Sequence, residues 1–203
     1  MRPNNSSTPQ GFSGATDSRL PLPDPAQMST KQKEQADALI NGPRKGIKGP
    51  FIPLMRSPEL LENLASTGEY LRFKSTLPED LKEFATLIVA RETSNQFEWA
   101  VHYPLAIAAG VAPESLKELF EGARPQTLSP DEAVVYDFTR ELSGHHGLSD
   151  GTYARAVAVL KEQGVVEMTA LIGYFYAVCW IMNVARTPSQ LVAETGPLHA
   201  FPI

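Results

Sequence analysis

The stretch "LKEFATLIVARETSNQFEWAVHYPLAIAAGV", residues 81–111, decides how the rest of the chain is read. Its apolar residues Leu81, Phe84, Ala85, Leu87 and Ile88 recur at three- and four-residue spacing, the period of one face of an α-helix. Taken as helical or nearly so from Glu83 to Gly110, at about 100° per residue, it stacks Arg91, Asn95, Glu98 and His102 within about 60° of one another. The result is one stripe of cation, amide, carboxylate and imidazole among the aromatic residues Phe97, Trp99 and Tyr103. Glu83 lies further back on the same segment.

Two readings of that stripe stand side by side. A Glu–His pair four residues apart on a solvated face contributes only a few tenths of a kcal/mol. The same pair in a cleft is an acid beside a base, each altering the other's affinity for protons. Continuity with the apolar face of Phe84, Leu87 and Ile88 predicts that the stripe points inward.

Outward from residues 81–111 the punctuation is helical. Ser29 or Thr30 caps a helix to about Leu39–Ile40, closed by "NGP", and "GPFIPLMRS" reads as an apolar connector. Ser57–Pro58 places proline at a first helical position. Leu77-Pro78-Glu79-Asp80 opens a helix with acids in its first turn, where the dipole favours them. A short helix begins near Pro113, and another at Ser129 with Gly144 as its stop. A further one starts at Ser149 or Asp150 and ends at Gly164, and a last helix runs from Val165 to about Ala185. No stretch alternates strictly, so the fold is read as all-α, a bundle of up-and-down hairpins. Residues 1–27, rich in Pro, Ser, Asn and Gly, read as a flexible tail or an arm that orders against a neighbouring subunit. Residues 28–203 read as one helical domain, in keeping with a length of 203 residues.

The composition removes several classes of function. The formal charge is -5 and no run of five Lys or Arg occurs, so nucleic acid is not an expected partner. A single cysteine, Cys179, rules out an intramolecular disulfide and a CxxC redox pair, and its apolar setting predicts a buried small hydrophobe. The N-terminus lacks the apolar core of a secretory signal, which with the absence of disulfides predicts a cytoplasmic protein. "MTALIGYFYAVCWIMNVA", residues 168–185, is uncharged and near spanning length. Thr169, Gly173, Tyr174, Tyr176 and Asn183 within it instead predict a buried or subunit-interface helix and no membrane. The ligand count falls short of a zinc site: Glu98 and His102 have the spacing but no further histidine nearby, and His145 and His146 suit a helix end. No nucleophile elbow, P-loop or dinucleotide glycine pattern is present.

The 81–111 stretch, with "SPDEAVVYDFTREL" and "VVEMTALIGYFYAVCWIMNV" downstream, resembles the carboxymuconolactone decarboxylase and alkylhydroperoxidase D-like superfamily over roughly residues 45–190. The resemblance implies a small all-helical subunit that assembles as a ring-shaped homotrimer or homohexamer. The peroxidase branch carries a glutamate, a C-x-x-C pair and a histidine. Glu83 and His102 match the first and last, while Asn95 and Glu98 fall where the cysteines would be. Neither side chain replaces a thiolate, so thiol peroxidase activity is not expected. The decarboxylase branch carries Glu-x-x-x-His, matched by Glu98 and His102, with Asn183 at a family asparagine of the last helix. That branch removes carbon dioxide from a carboxylated lactone without a cofactor.

The resemblance therefore implies His102 as proton-transfer group, Glu98 as its tuning partner and Glu83 as a second acid or buried partner. Arg91 would hold a substrate carboxylate, Asn95 would face a carbonyl oxygen, and Trp99 and Tyr174 would wall the ring. The chain departs from short decarboxylases in its longer N-terminus and in the aromatic "FEWAVH". A hydrolase or isomerase of a related lactone, or a non-catalytic oligomeric scaffold of the same fold, are the alternative expectations.

Overall fold

The computed structural model describes residues 10–12, 14–15, 17–189, 191 and 193–199. Parts of the predicted N-terminal tail (residues 1–9, 13 and 16) and of the predicted domain's end (190, 192 and 200–203) lie outside the described residues. Among the described residues there are eight α-helices and no strand. They are α1 (Thr30–Asn41), α2 (Phe51–Leu54), α3 (Pro58–Phe73), α4 (Glu79–Glu92), α5 (Gln96–Ala109), α6 (Pro113–Phe120), α7 (Pro130–His145) and α8 (Asp150–Ala185).

Local sequence starts these helices where expected. Ser29 and Ser129 each form a reciprocal capping box, with Gln32 and Glu132 three residues on, and Ser149 accepts from the Thr152 N–H. Proline occupies the start of α3, α6 and α7, where its missing N–H has no partner to lose.

Four expectations need correction. The stretch from Glu83 to Gly110 is not one helix: it breaks at Thr93–Asn95, where Ser94 adopts a left-handed φ of 48°. Asn95 begins α5 by accepting the Glu98 N–H at 3.0 Å, a strong capping bond that competes with continued helix. "GPFIPLMRS" contains the short helix α2 rather than a plain connector. The expected break between the last two helices is present but falls at Lys161 (φ 63°) rather than Gly164, and the two are continuous as α8 apart from that kink. Likewise α7 passes Gly144 and closes at His146, which takes the left-handed cap conformation.

The core is built around α4, whose residues from Leu81 to Arg91 are all buried. It packs against α5, α7 and α8. Phe84, Leu87, Val135, Phe138, Met168 and Leu171 are fully enclosed there. Burying a side chain of this size stabilises by about 1.5–3 kcal/mol. A second cluster joins Met28, Leu39, Phe51, Leu54, Met55 and Leu61 from α1, α2 and α3. By length and composition α8 could cross a membrane, yet half of its most apolar window is buried inside the protein, as in a core helix.

The described part of residues 10–20 lies on the protein itself. The Gly11 N–H donates to Ser94 O at 3.0 Å, Gln10 Oε1 accepts from the Gln96 N–H at 2.7 Å, and the Arg19 N–H donates to Ala185 O.

Candidate active site

The first two turns of α5 carry Glu98 and His102 four residues apart, and α4 brings Glu83 to the other side of the imidazole. Glu83 Oε2 lies 2.5 Å from His102 Nδ1, and Glu98 Oε2 lies 3.3 Å from His102 Nε2. All three are buried: His102 is 1% exposed, Glu83 2% and Glu98 5%. The ring of Phe175 meets the imidazole edge-on at 5.0 Å between centroids. Burial alone disfavours the imidazolium, but the hydrogen bonds and charges of Glu83 and Glu98 outweigh it. They hold His102 above its ordinary proton affinity. The two carboxylates engage different ring nitrogens and do not converge on one point as metal ligands do.

Glu98 and His102 open onto a cavity of about 350 Å³. Its walls come from the loop between α1 and α2, the end of α3, the start of α5 and the middle of α8. Phe97, Val101, Phe175 and Val178 supply apolar surface, while Arg44, Lys48 and Arg72 face the single carboxylate of Glu98. Tyr174 also lines it, its phenol pushed up to about 12 by burial and by the nearby Glu98 charge. Two glycines make room for this wall. A Cβ at Gly49 (φ 53°) would come within 2.2 Å of the Phe97 ring, and one at Gly68 within 2.2 Å of Tyr174 Oη.

Of the eight residues singled out from sequence, His102, Glu98, Glu83 and Tyr174 come together here. The other four lie elsewhere. The Arg91 Nε donates to Phe120 O at 2.7 Å and its Nη1 to His199 O at 3.1 Å, which turns it toward α6 and the C-terminal segment. The Trp99 indole donates to Thr195 Oγ1 at 3.0 Å and packs on Tyr103 and Phe120, on the face of α5 away from the cavity. Asn95 donates to Asn183 Oδ1 at 3.1 Å, and Asn183 donates to Thr93 O at 2.8 Å. This amide pair fastens the α4–α5 turn to α8. The helix break explains the displacement of Arg91 and Asn95, because the stripe that joined them to Glu98 and His102 assumed an unbroken helix.

Sequence reasoning missed Arg44, Lys48 and Arg72. Arg44 and Lys48 stand in the glycine- and proline-rich "NGPRKGIKGP", a composition that marks a turn able to present side chains over a pocket. Nothing local marks Arg72. Cys179 is fully buried, as expected, and burial raises its thiol well above the ordinary value.

Residues 58–141 match the carboxymuconolactone decarboxylase family. That match supports a likeness to the carboxymuconolactone decarboxylase and alkylhydroperoxidase D-like superfamily over this part of the chain. Several solved structures share the fold at low identity. One is an alkylhydroperoxidase AhpD core, a peroxidase-related protein from Ralstonia eutropha JMP134: TM-score 0.68, 11% identity, covering 91% of this chain and 100% of that one. A peroxidase-related protein from Silicibacter sp. TM1040 gives 0.64 and 12%, covering 88% of this chain and 96% of that one. A cysteine-to-alanine variant of the debrominase Bmp8 in complex with 2,3,4-tribromopyrrole gives 0.61 and 12%, covering 83% and 91% respectively. No functionally curated protein matches the chain by sequence.

Proposed function

We propose that the protein is a cofactor-independent carboxy-lyase acting on a small carboxylated lactone or a related acid, with His102 as the proton-transfer group. One observation carries this reading: an imidazole with a carboxylate on each ring nitrogen opens onto a cavity otherwise lined by cations and apolar side chains. Glu83 fixes the ring and, with Glu98, keeps it protonated to higher pH. A protonated imidazole is the form that delivers a proton to carbon.

The step balances without an external oxidant or reductant. The bond between the substrate carbon and its carboxylate breaks, and carbon dioxide leaves. The electron pair moves into the unsaturated lactone, and His102 delivers one proton to the resulting enolate carbon. Glu98 then holds the neutral imidazole until solvent returns the proton. The apolar wall of Phe97, Phe175 and Val178 disfavours a negative charge beside it, and so favours departure of neutral carbon dioxide. Thiol peroxidase chemistry finds no support, since no thiol among the described residues lines the cavity. The proposal extends to a cytoplasmic setting and to self-association as a homotrimer or homohexamer.

The test is turnover of a panel of carboxylated γ-lactones, followed by carbon dioxide release. His102→Gln and Glu98→Gln are each expected to lower the rate by about 10²–10⁴. Full turnover in both variants would remove the assigned roles.

A further inference from the structure

The turn between α4 and α5 is tied to α8 by hydrogen bonds that all run in one direction. At one end is the carbonyl of Thr93, where α4 stops and the last carbonyls lose their helical partners. At the other end is the N–H of Glu98, in the first turn of α5, where the first amides have no helical acceptor. Two side-chain amides bridge them. Asn183 Nδ2 donates to Thr93 O at 2.8 Å, Asn95 Nδ2 donates to Asn183 Oδ1 at 3.1 Å, and the Glu98 N–H donates to Asn95 Oδ1 at 3.0 Å. A carbonyl only accepts and an N–H only donates, so the two ends fix which way both amides face. Turning either one over would set oxygen against oxygen and donor against donor.

The relay is sheltered and stands apart from the cavity. Asn95 is fully buried, and its Nδ2 also lies 3.4 Å from Cys179 O. Gly11 packs on the Asn183 amide: a Cβ there (φ 60°) would come within 2.8 Å of both Cγ and Nδ2. The Gly11 N–H, which donates to Ser94 O at 3.0 Å, holds it in that place. Asn183 borders a separate hollow with Tyr176 and Trp180, and neither asparagine is among the residues lining the cavity beside His102. What the relay does hold is the carboxylate that meets His102. Glu98 lies in the first turn of α5, the part of a helix that frays first when its cap is lost. His102 lies one turn further in and is held separately by Glu83 of α4 at 2.5 Å, while Glu98 reaches its Nε2 at the longer distance of 3.3 Å. Loosening the first turn therefore parts Glu98 from the imidazole and leaves the Glu83 bond in place.

We propose that Asn95 and Asn183 are positioning residues: their amide relay holds the first turn of α5 so that Glu98 stays in reach of His102 Nε2. The part this gives them in turnover rests on the proton-transfer reading of the cavity; the geometry at His102 does not. The resemblance implies that Asn95 faces a carbonyl oxygen of the substrate. The structure commits its amide to Asn183 and to the backbone of Glu98 instead.

Titration of the His102 imidazole in the full chain, followed by NMR and assigned by its loss in His102→Gln, tests this without any substrate. The charged or titratable groups around Glu98 and His102 are Glu83 of α4, Tyr174 and Cys179 of α8, Arg44 and Lys48 of the loop after α1, and Arg72 of α3; the relay variants alter none of them. Glu98→Gln gives the full effect of losing the carboxylate, a fall in the titration midpoint. Asn95→Ala and Asn183→Leu are each expected to lower the midpoint part-way toward it. Asn95→Ser, whose hydroxyl still caps the helix, is expected to lower it less than Asn95→Ala. Gly11→Ala crowds the relay from outside and is expected to lower it too. In a Glu98→Gln background none of these changes is expected to lower it further. On a confirmed substrate, Asn183→Leu is expected to lower kcat by about tenfold to a hundredfold with KM nearly unchanged.

A folded Asn95→Ala or Asn183→Leu protein with a lower melting temperature but an unmoved midpoint would overturn the proposal, since the asparagines would then only brace the fold. So would an equal fall in midpoint with and without Glu98. Where these variants do not fold, Gly11→Ala decides by the same two criteria, because it changes neither asparagine. If the midpoints move as expected while His102→Gln retains full turnover of a confirmed substrate, the relay stands and the proton-transfer assignment falls.

Discussion

Adding one methyl group at Gly68 is expected to destabilise the protein for a reason that can be switched off elsewhere. Gly68 is buried in the middle of α3, and its missing side chain is the seat of the Tyr174 phenol. An alanine Cβ there would stand 2.2 Å from Tyr174 Oη and 2.5 Å from Cζ, where ordinary contacts begin at 3.4 Å. The phenol, or α3, must therefore retreat by about 1 Å. Overpacking of this kind costs about 1–3 kcal/mol. Alanine for glycine inside a helix returns about 1 kcal/mol. The net expectation is a loss of about 1 kcal/mol, with the melting temperature lower by about 2–4 °C. In a Tyr174→Ala background the obstacle is gone, and the same Gly68→Ala change should stabilise by up to about 1 kcal/mol. Urea unfolding of the four proteins in the double-mutant cycle reads the change of sign directly. An equal effect of Gly68→Ala in both backgrounds would refute the placement of the phenol over α3. It would also remove Tyr174 from the cavity wall.

Two further outcomes are expected. Because His102 has a raised proton affinity in the folded state, its contribution to stability is fully present below the unfolded value of 6.5. That contribution is lost as pH rises through the folded value, the native state binding the extra proton. Stability measured by urea should fall from pH 6 toward pH 8.5, and His102→Gln should flatten the profile; an unchanged slope would show that the imidazole is not charged in the fold. Separately, Val166, Trp180 and Val184 are 69%, 59% and 64% exposed along one side of α8, and Leu60 of α3 lies near the last two. Such a patch suits a partner subunit. Sedimentation should find a trimer or hexamer, and Trp180→Glu should shift it toward monomer; a monomeric unsubstituted protein would refute the assembly.

The helices were legible because their boundary residues act locally. Serine caps at 29, 129 and 149 and prolines at 58, 113 and 130 need no distant partner to favour a helix start. The break after α4 was missed because the stretch offers no glycine or proline. Its signal was the run Thr93-Ser94-Asn95, three residues whose short polar side chains favour caps over helix interior. That one error displaced Arg91 and Asn95, two of the eight candidates. Glu98 and His102 survived it because both belong to α5, so their spacing did not depend on the break. Glu83 reached His102 through the packing of α4 on α5, for which the resemblance supplied the clue and local sequence did not. Arg44 and Arg72 were invisible for a plainer reason: their proximity to His102 exists only once α3 and the loop after α1 have docked on α5 and α8.

Gln96 makes the start of α5 a junction for distant parts of the chain. Its N–H is taken by Gln10, and its side-chain amide both donates to and accepts from the backbone of Leu198. An early and a late segment are thus clamped on one residue, two positions before Glu98. Purification handles, fusions or deletions that disturb residue 10 or residue 198 therefore pull on the helix that holds the acid and the base. A short bridge joining those two segments, with new ends cut in the exposed turn after α7, would leave that clamp in place and yield a permuted chain with its reactive groups undisturbed.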